Sequence, residues 1–231
     1  MTPTSEIKVL SSLATRGAHL ELVPVFEGAS GQTASTTWAG TVDIMKRITS
    51  GEDFDLVIGS KNTINELIKL ARIEPHSLVD LASTGIGVAV RGGARHPDIG
   101  SAEALKQMLL TAKSVGYSTG PSGVYLVSLF DRMGIAAEVA AKARQVPPGK
   151  TVGPIVASGE VEVGFQQLSE LLSVEGIEVV GPLPAEVQHV TVISCGVPVR
   201  AKNPDAARLL TRFLSTPMAG DAMERAGLQR A

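Results

Sequence analysis

Short apolar runs of β type alternate with helical periodicities along almost the whole chain, and this alternation restricts the fold more than any other feature. A strand–helix–strand succession is what a parallel crossover requires, so it predicts an α/β protein with mainly parallel sheets. Residues 7–10, 33–38 and 54–58 read as strands, and 13–27, 41–49 and 62–70 as helices. Pro24 would kink the first helix or restart it. Leu22 and Phe26 share its apolar face at one-turn spacing. Ile44, Met45 and Ile48 face inward on the second helix, which stops at Gly51. A second block repeats the plan, with strands over 86–90, 115–117, 161–165, 177–180 and 189–195. Its helices cover 101–110, 122–133, 135–143, 152–157 and 168–172. Helices over 204–214 and 217–226 close the chain, the first opened by Asn203 as cap and Pro204 at its first position. No flexible linker separates the blocks. The expectation is two Rossmann-like lobes, 1–82 plus 195–231 and 83–194, joined by two structured crossings near 81–91 and 188–200.

Composition narrows the function classes. With 44% hydrophobic and only 3% aromatic residues, the core must be aliphatic, and 231 residues suffice to bury one without staples. Lysine plus arginine total 21 and aspartate plus glutamate 23, a net charge of −2. That balance argues against an electrostatic nucleic-acid binder or a polybasic membrane module. No apolar run reaches the roughly 18 residues that span a bilayer, so no direct membrane insertion is expected. The opening Met1-Thr2-Pro3-Thr4-Ser5-Glu6 is polar, unlike a secretory leader. The protein is cytoplasmic if Met1 is native, and periplasmic or otherwise extracytoplasmic if a leader was removed. Cys195, the one cysteine, excludes an internal disulfide and reads as a core residue within the apolar stretch 190–196.

In open parallel sheets, ligands bind beyond the carboxyl ends of strands, where helices begin. The residues at those places are Ser11 and Ser12, Gly40 and Thr41, Ser60, Thr119, Ser122 and Gly123, Lys150, Thr151 and Val152, and Gln166 and Gln167. The set is rich in hydroxyls and amides, and it is expected to hold no carboxylate and no histidine. Hydroxyl donors, backbone N–H groups and helix amino termini together can hold a desolvated anion. Taken one at a time, each turn also reads as ordinary capping and turn chemistry. Arg16 or Lys61 could add positive charge.

Other site signals fail. Gly85-Ile86-Gly87 lacks the third glycine of a dinucleotide loop. Gly149-Lys150-Thr151 lacks the glycine of a phosphate loop five residues earlier, where Arg144 stands. Gly120-Pro121-Ser122-Gly123 has the wrong spacing for a serine elbow. His19, His76, His96 and His189 show no metal-ligand spacing. No catalytic residue, metal or cofactor is therefore assigned.

Several segments, in order, resemble the molybdate-type branch of the extracellular solute-binding proteins. They are Leu10-Ser11-Ser12-Leu13; Thr37-Trp38-Ala39-Gly40-Thr41 with Lys46-Arg47-Ile48 and Gly51; Phe54-Asp55-Leu56-Val57-Ile58-Gly59-Ser60; and Thr119-Gly120-Pro121-Ser122-Gly123-Val124-Tyr125. Ala157-Ser158-Gly159-Glu160-Val161-Glu162-Val163-Gly164, Asn203-Pro204-Asp205-Ala206-Ala207 and Phe213-Leu214-Ser215-Thr216-Pro217 complete the likeness. The resemblance implies two α/β lobes of the type II periplasmic-binding fold, closing by hinge motion on an oxyanion in the cleft between them. It implies contacts at Ser11 or Ser12, Thr41, Ser122 and the loop 149–152. Where that branch has a tyrosine, this chain has Gln166-Gln167, neutral groups suited to a planar carboxylate. The segment Gly164-Phe165-Gln166-Gln167-Leu168-Ser169-Glu170 is similar to a subgroup that includes aconitate isomerase, an enzyme built on this binding fold.

Three functions follow as expectations. The first is a monomeric carrier that captures a small anion, a di- or tricarboxylate or an oxyanion, for an ABC-type transporter and its permease. The second is an isomerase moving a proton and double bond in an unsaturated tricarboxylate, which needs a base such as Lys61, Lys150 or Tyr117. The third is a cytosolic ligand-sensing domain.

Overall fold

The computed structural model describes residues 6–230. Residues 1–5, on which the leader expectation largely rests, and residue 231, the outer limit of the first expected lobe, lie outside the described residues. The chain opens with β1 (Ile7–Ser12), α1 (Arg16–Ser30), β2 (Ala34–Ala39), α2 (Thr41–Thr49), β3 (Leu56–Ser60), α3 (Lys61–Lys69) and β4 (Val79–Thr84). It continues through β5 (Ile86–Arg91), α4 (Ala102–Thr111), β6 (Val115–Tyr117), α5 (Pro121–Arg132), α6 (Ala136–Ala140), β7 (Ala143–Gln145), α7 (Gly153–Ala157), β8 (Val163–Gln167), α8 (Leu168–Leu171) and β9 (Ile177–Pro182). It ends with β10 (Thr191–Gly196), α9 (Pro204–Leu214), α10 (Pro217–Arg225) and β11 (Gln229–Arg230). Two compact units result, Met1–Ser83 with Val192–Ala231, and Thr84–Thr191.

In the first unit the strand order is β11-β4-β10-β3-β1-β2. The β3–β1–β2 triplet is parallel, and β10 joins β3 antiparallel. Alternation along each strand sends side chains to two faces. Ile7, Val9, Leu56, Ile58, Ile193 and Cys195 pack with Leu22, Phe26, Leu210 and Met223 of α1, α9 and α10. Leu10 and Val57 face the other way, against Ile44, Ile48, Ile64 and Leu67 of α2 and α3. Helices thus cover both faces, as a parallel sheet demands.

In the second unit the order is β7-β6-β8-β5-β9, with β7–β6–β8 parallel and β5 antiparallel to both β8 and β9. Ile86, Val88, Val90, Val163 and Phe165 pack under Leu105, Leu109, Leu126 and Phe130 of α4 and α5. The opposite face is lined by glycines that admit the short helices closely. A Cβ on Gly164 would stand 2.3 Å from Val156 Cγ2, and one on Gly87 would stand 2.9 Å from Leu168 Cδ1.

The structure moves several boundaries. The expected first helix becomes a single 3-10 turn, Leu13–Thr15, followed by α1, which runs through Pro24 without interruption. The strand expected at 54–58 is β3, two residues later. Asp55 is not part of its ladder: its buried carboxylate accepts the N–H groups of Lys8 (2.9 Å), Lys202 and Asn203 (both 2.8 Å). The strand expected at 161–165 likewise becomes β8, because pairing with β5 continues to Gln167 opposite Ile86. The helix expected over 135–143 ends at Ala140, and its last residue starts β7. Strands β4 and β11, absent from the sequence reading, pair with each other in the first unit.

Candidate functional site

In the first unit the register sets Ser12 beside Ala39 and Ser11 beside Ile58, so the turns after β1, β2 and β3 share one sheet edge. Ser12 caps the 3-10 turn by accepting the Ala14 N–H at 3.3 Å. Ser11 is fully buried, with its hydroxyl 2.8 Å from Thr15 Oγ1. Gly40 caps α2 and Thr41 is the first residue of that helix. Ser60 caps α3, accepting the Thr63 N–H at 3.2 Å and lying 2.7 Å from Thr63 Oγ1. An accepting hydroxyl keeps its own proton to donate, so capping and ligand binding are compatible at Ser12.

Antiparallel pairing of β10 with β3 puts Ile193 opposite Ser60, so Ser194 begins at this same edge. Ser194 Oγ donates to Asp80 Oδ1 at 2.7 Å, and Lys61 Nζ to Asp80 Oδ2 at 2.6 Å. Burial works to raise the Asp80 carboxyl, but the hydrogen bonds from Lys61 and Ser194 outweigh it and hold it below its ordinary value. His19 lies on α1 of the same unit, with Nε2 2.9 Å from Thr36 Oγ1 and its ring edge-on to Trp38. Burial pushes it down to about 4, so it is a neutral packing residue at neutral pH. Arg16 is exposed at the start of α1.

In the second unit Tyr117 pairs with Gln145 on one side and Phe165 on the other, so the strand ends of β7, β6 and β8 again share an edge. Buried Ser118 accepts the Gly120 N–H at 3.2 Å and sits 3.1 Å from Ser122 Oγ. Helix α5 starts at Pro121, with no acid in its first turn. Its Ser122 and Gly123 N–H groups lie ahead of the first helical bond, Val124 N–H to Gly120 O at 3.1 Å. Gly123 is required there: a Cβ would stand 1.7 Å from the Ser118 carbonyl oxygen. Thr119 is half-buried beside this turn.

The loop before α7 turns at Gly149, whose φ of +75° lies in the left-handed region, and the Lys150 N–H reaches Pro147 O at 3.1 Å. Lys150 is exposed and Thr151 half-buried, whereas Val152 is buried. The Val152 N–H donates to Gln166 Oε1 at 2.6 Å, and Gln166 Nε2 donates to the Glu170 carboxylate. Gln166 shares the face of Gly164, which is why it meets α7 and α8. Gln167 turns the other way, donating to Thr191 Oγ1 at 2.8 Å. Its Oε1 and the Ser169 hydroxyl are buried without a partner among the described residues. Burial raises the Glu170 carboxyl to about 7, with the Gln166 amide pulling partly back.

The sequence candidates therefore fall into two groups. Ser11, Ser12, Gly40, Thr41 and Ser60 lie at one edge of the first unit's sheet. Thr119, Ser122, Gly123, Val152, Gln166 and Gln167 lie at one edge of the second's, with Lys150 and Thr151 on a turn beside it. The expectation that no carboxylate stands near these strand ends is corrected by Asp43 in the first turn of α2, by Asp80 and by Glu170. Glu170 had a sequence signal, its place four residues after Gln166 across a strand–helix junction. Asp80 had none, since Ser194 is 114 residues away.

Residues 7–229, spanning both units, match the bacterial extracellular solute-binding proteins. The chain belongs to that family. An aconitate isomerase of a Pseudomonas species is 38% identical over 233 residues, covering 98% of this solute-binding protein and 88% of the relative. The periplasmic molybdate-binding protein of Azotobacter vinelandii shares the fold, with a TM-score of 0.82 at 15% identity over 97% of this chain and 99% of that one. So does a sulfate-binding protein of Mycobacterium tuberculosis, with a TM-score of 0.79 at 17% identity over 98% and 87%. Among the described residues no group of three His, Cys, Asp or Glu side chains could hold a metal ion, and no helix is long and apolar enough to cross a membrane.

Proposed function

We propose that this solute-binding protein captures a small organic anion with two or three carboxylates and delivers it, as a periplasmic monomer, to an ABC-type permease. The observation that carries this reading is the start of α5. Ser118, Ser122 and the N–H groups of Ser122 and Gly123 converge there on a helix amino terminus free of acidic residues. Such a terminus attracts negative charge through aligned peptide dipoles. Within the first unit, taken by itself, the capped turns after β1, β2 and β3 likewise present hydroxyl and N–H donors. The preference for a carboxylate rests on the likeness of the segment 164–170 to the aconitate isomerase subgroup, since the side-chain amides of Gln166 and Gln167 are engaged by Val152, Glu170 and Thr191.

A thermal-shift panel of molybdate, tungstate, sulfate, phosphate, citrate and the two aconitates tests it. A ligand present at 100 times its dissociation constant adds about 2.7 kcal/mol of stability. A carboxylate should raise the melting temperature more than molybdate does, and the reverse order would refute the carboxylate reading. Ser122→Pro should remove binding with little loss of fold, because proline suits a first helical turn but lacks the N–H donor. Substituting one sheet edge at a time asks whether a single guest draws on both.

A second reading is supported by the 38% identity to an aconitate isomerase. On it the protein moves a proton and a double bond within an unsaturated tricarboxylate, which demands a base at the ligand carbon. Incubation with trans-aconitate in deuterated buffer decides between the two. Conversion to cis-aconitate with deuterium incorporation supports the enzyme, and binding without turnover supports the carrier.

A further inference from the structure

A chain of hydrogen bonds runs from the loop before α7 to α8: Val152 N–H to Gln166 Oε1 at 2.6 Å, then Gln166 Nε2 to the Glu170 carboxylate. Gln166 is 3% exposed, and both ends of its carboxamide are used internally. The Val152 N–H is taken by Gln166, but Val152 ends the loop that carries the candidate anion contacts Lys150 and Thr151, so Glu170 stands two hydrogen-bonded groups from that loop. The residue is half-buried, and desolvation outweighs the Gln166 hydrogen bond in raising its carboxyl.

Among the described residues, the groups around it offer no counter-ion. Helix α8 packs against β5, β8 and β9. The charged residues on those strands are Arg91 and Glu178, at the opposite end of the ladder from Gln166; β8 carries none. Glu178 is tied to His96 and to the Gly93 N–H. Lys150 on the neighbouring loop and Glu175 beyond α8 are exposed. The polar partner the structure gives the Glu170 carboxylate is the neutral amide of Gln166.

We infer that Glu170 couples anion capture to uptake of a proton, acting as a positioning residue through Gln166 on the Val152 loop. The inference rests on the anion-binding reading above. A carboxylate without a counter-ion repels an arriving anion, and protonation removes that repulsion. By reciprocity, a bound anion must raise the affinity of Glu170 for its proton. The ordinary carboxylate range would make this irrelevant near neutrality, but burial brings the group to about 7, where the linkage operates under physiological conditions.

The test is calorimetric titration of the full chain with trans-aconitate, sulfate and molybdate, each fully ionised between pH 6 and 8, in two buffers of different ionisation enthalpy. If a bound anion raises Glu170 by one pH unit, affinity falls about fivefold from pH 6 to pH 8, with uptake of a fraction of a proton. Glu170→Gln keeps an acceptor for the Gln166 amide but carries no titrating proton, so it should bind with no uptake and a flat pH profile. That variant differs from the wild type only at residue 170, so a change in proton uptake reports on the Glu170 carboxyl. A pH-independent affinity in the wild-type protein overturns the inference, whether or not the variant folds. So does proton uptake that persists in a folded Glu170→Gln protein. Absence of binding by all three anions removes the anion reading itself, whereas binding with a flat profile removes only this inference.

Discussion

His19 is a titratable side chain that the fold holds neutral. Its imidazole is 3% exposed, bonded to Thr36 and set edge-on against Trp38. Its folded value of about 4 lies below the ordinary 6.5, so between those values the unfolded chain binds more protons than the folded one. Stability is then fully present above pH 6.5 and is lost as pH falls toward 4, by about 3 kcal/mol in total. Replacing His19 with glutamine should flatten this acid limb in urea titrations at pH 4.5 and 6.5. An unchanged slope would show that the imidazole is not the source. Cys195 is also shielded: burial lifts its thiol to about 11, which makes it unreactive toward disulfide reagents in the folded protein.

At the scale of the element, α5 shows how one small residue fixes the geometry of a site. The turn from β6 into α5 brings the Ser118 carbonyl so near Gly123 that a methyl group there would overlap backbone at 1.7 Å. Neither partner is the end of a flexible side chain, so the turn itself must shift. Gly123→Ala should destabilise by about 1–3 kcal/mol, measured by urea unfolding, and should weaken anion binding because the first-turn N–H groups move with the turn. Wild-type stability and affinity together would contradict this account. Gly164→Ala meets the side chains of Val156 and Val152 rather than backbone; both valines are buried and stiff at χ1, so α7 must move away from the sheet and a loss of stability is expected here as well.

For the whole molecule, the two units should respond to pH in opposite directions. Glu170, in Thr84–Thr191, has a folded value of about 7 above its ordinary 4.5. Between those values the folded unit binds more protons than the unfolded chain. Its stability therefore falls as pH rises from 4.5 to 7, by up to about 3 kcal/mol. His19 gives the other unit the opposite slope over nearly the same interval. The chromophores separate them: the single tryptophan, Trp38, lies in the first unit, and both tyrosines, Tyr117 and Tyr125, lie in the second. The urea midpoint read by tryptophan fluorescence should move up relative to the tyrosine midpoint as pH goes from 5 to 8. Midpoints that coincide at every pH would refute the prediction.

The sequence by itself determined the α/β class, because burial periodicity is local: Thr41–Thr49, Val115–Tyr117 and Pro204–Leu214 are legible from a few consecutive side chains. It also determined which strand ends are rich in hydroxyls and amides, since helix caps are written next to the helices they start. What only the tertiary structure decided depends on partners far apart in the chain. Asp55 is buried against Lys202 and Asn203, Asp80 is shared by Lys61 and Ser194, and β4 is a strand because β10 and β11 return to it. The commitment of Gln166 to Val152 and Glu170 belongs here too. A glutamine looks free to meet a ligand until the helix lying over Gly164 brings an N–H and a carboxylate to its two ends. Local pattern fixes what each segment becomes, but a polar side chain's role is set by which distant groups share its desolvated surroundings.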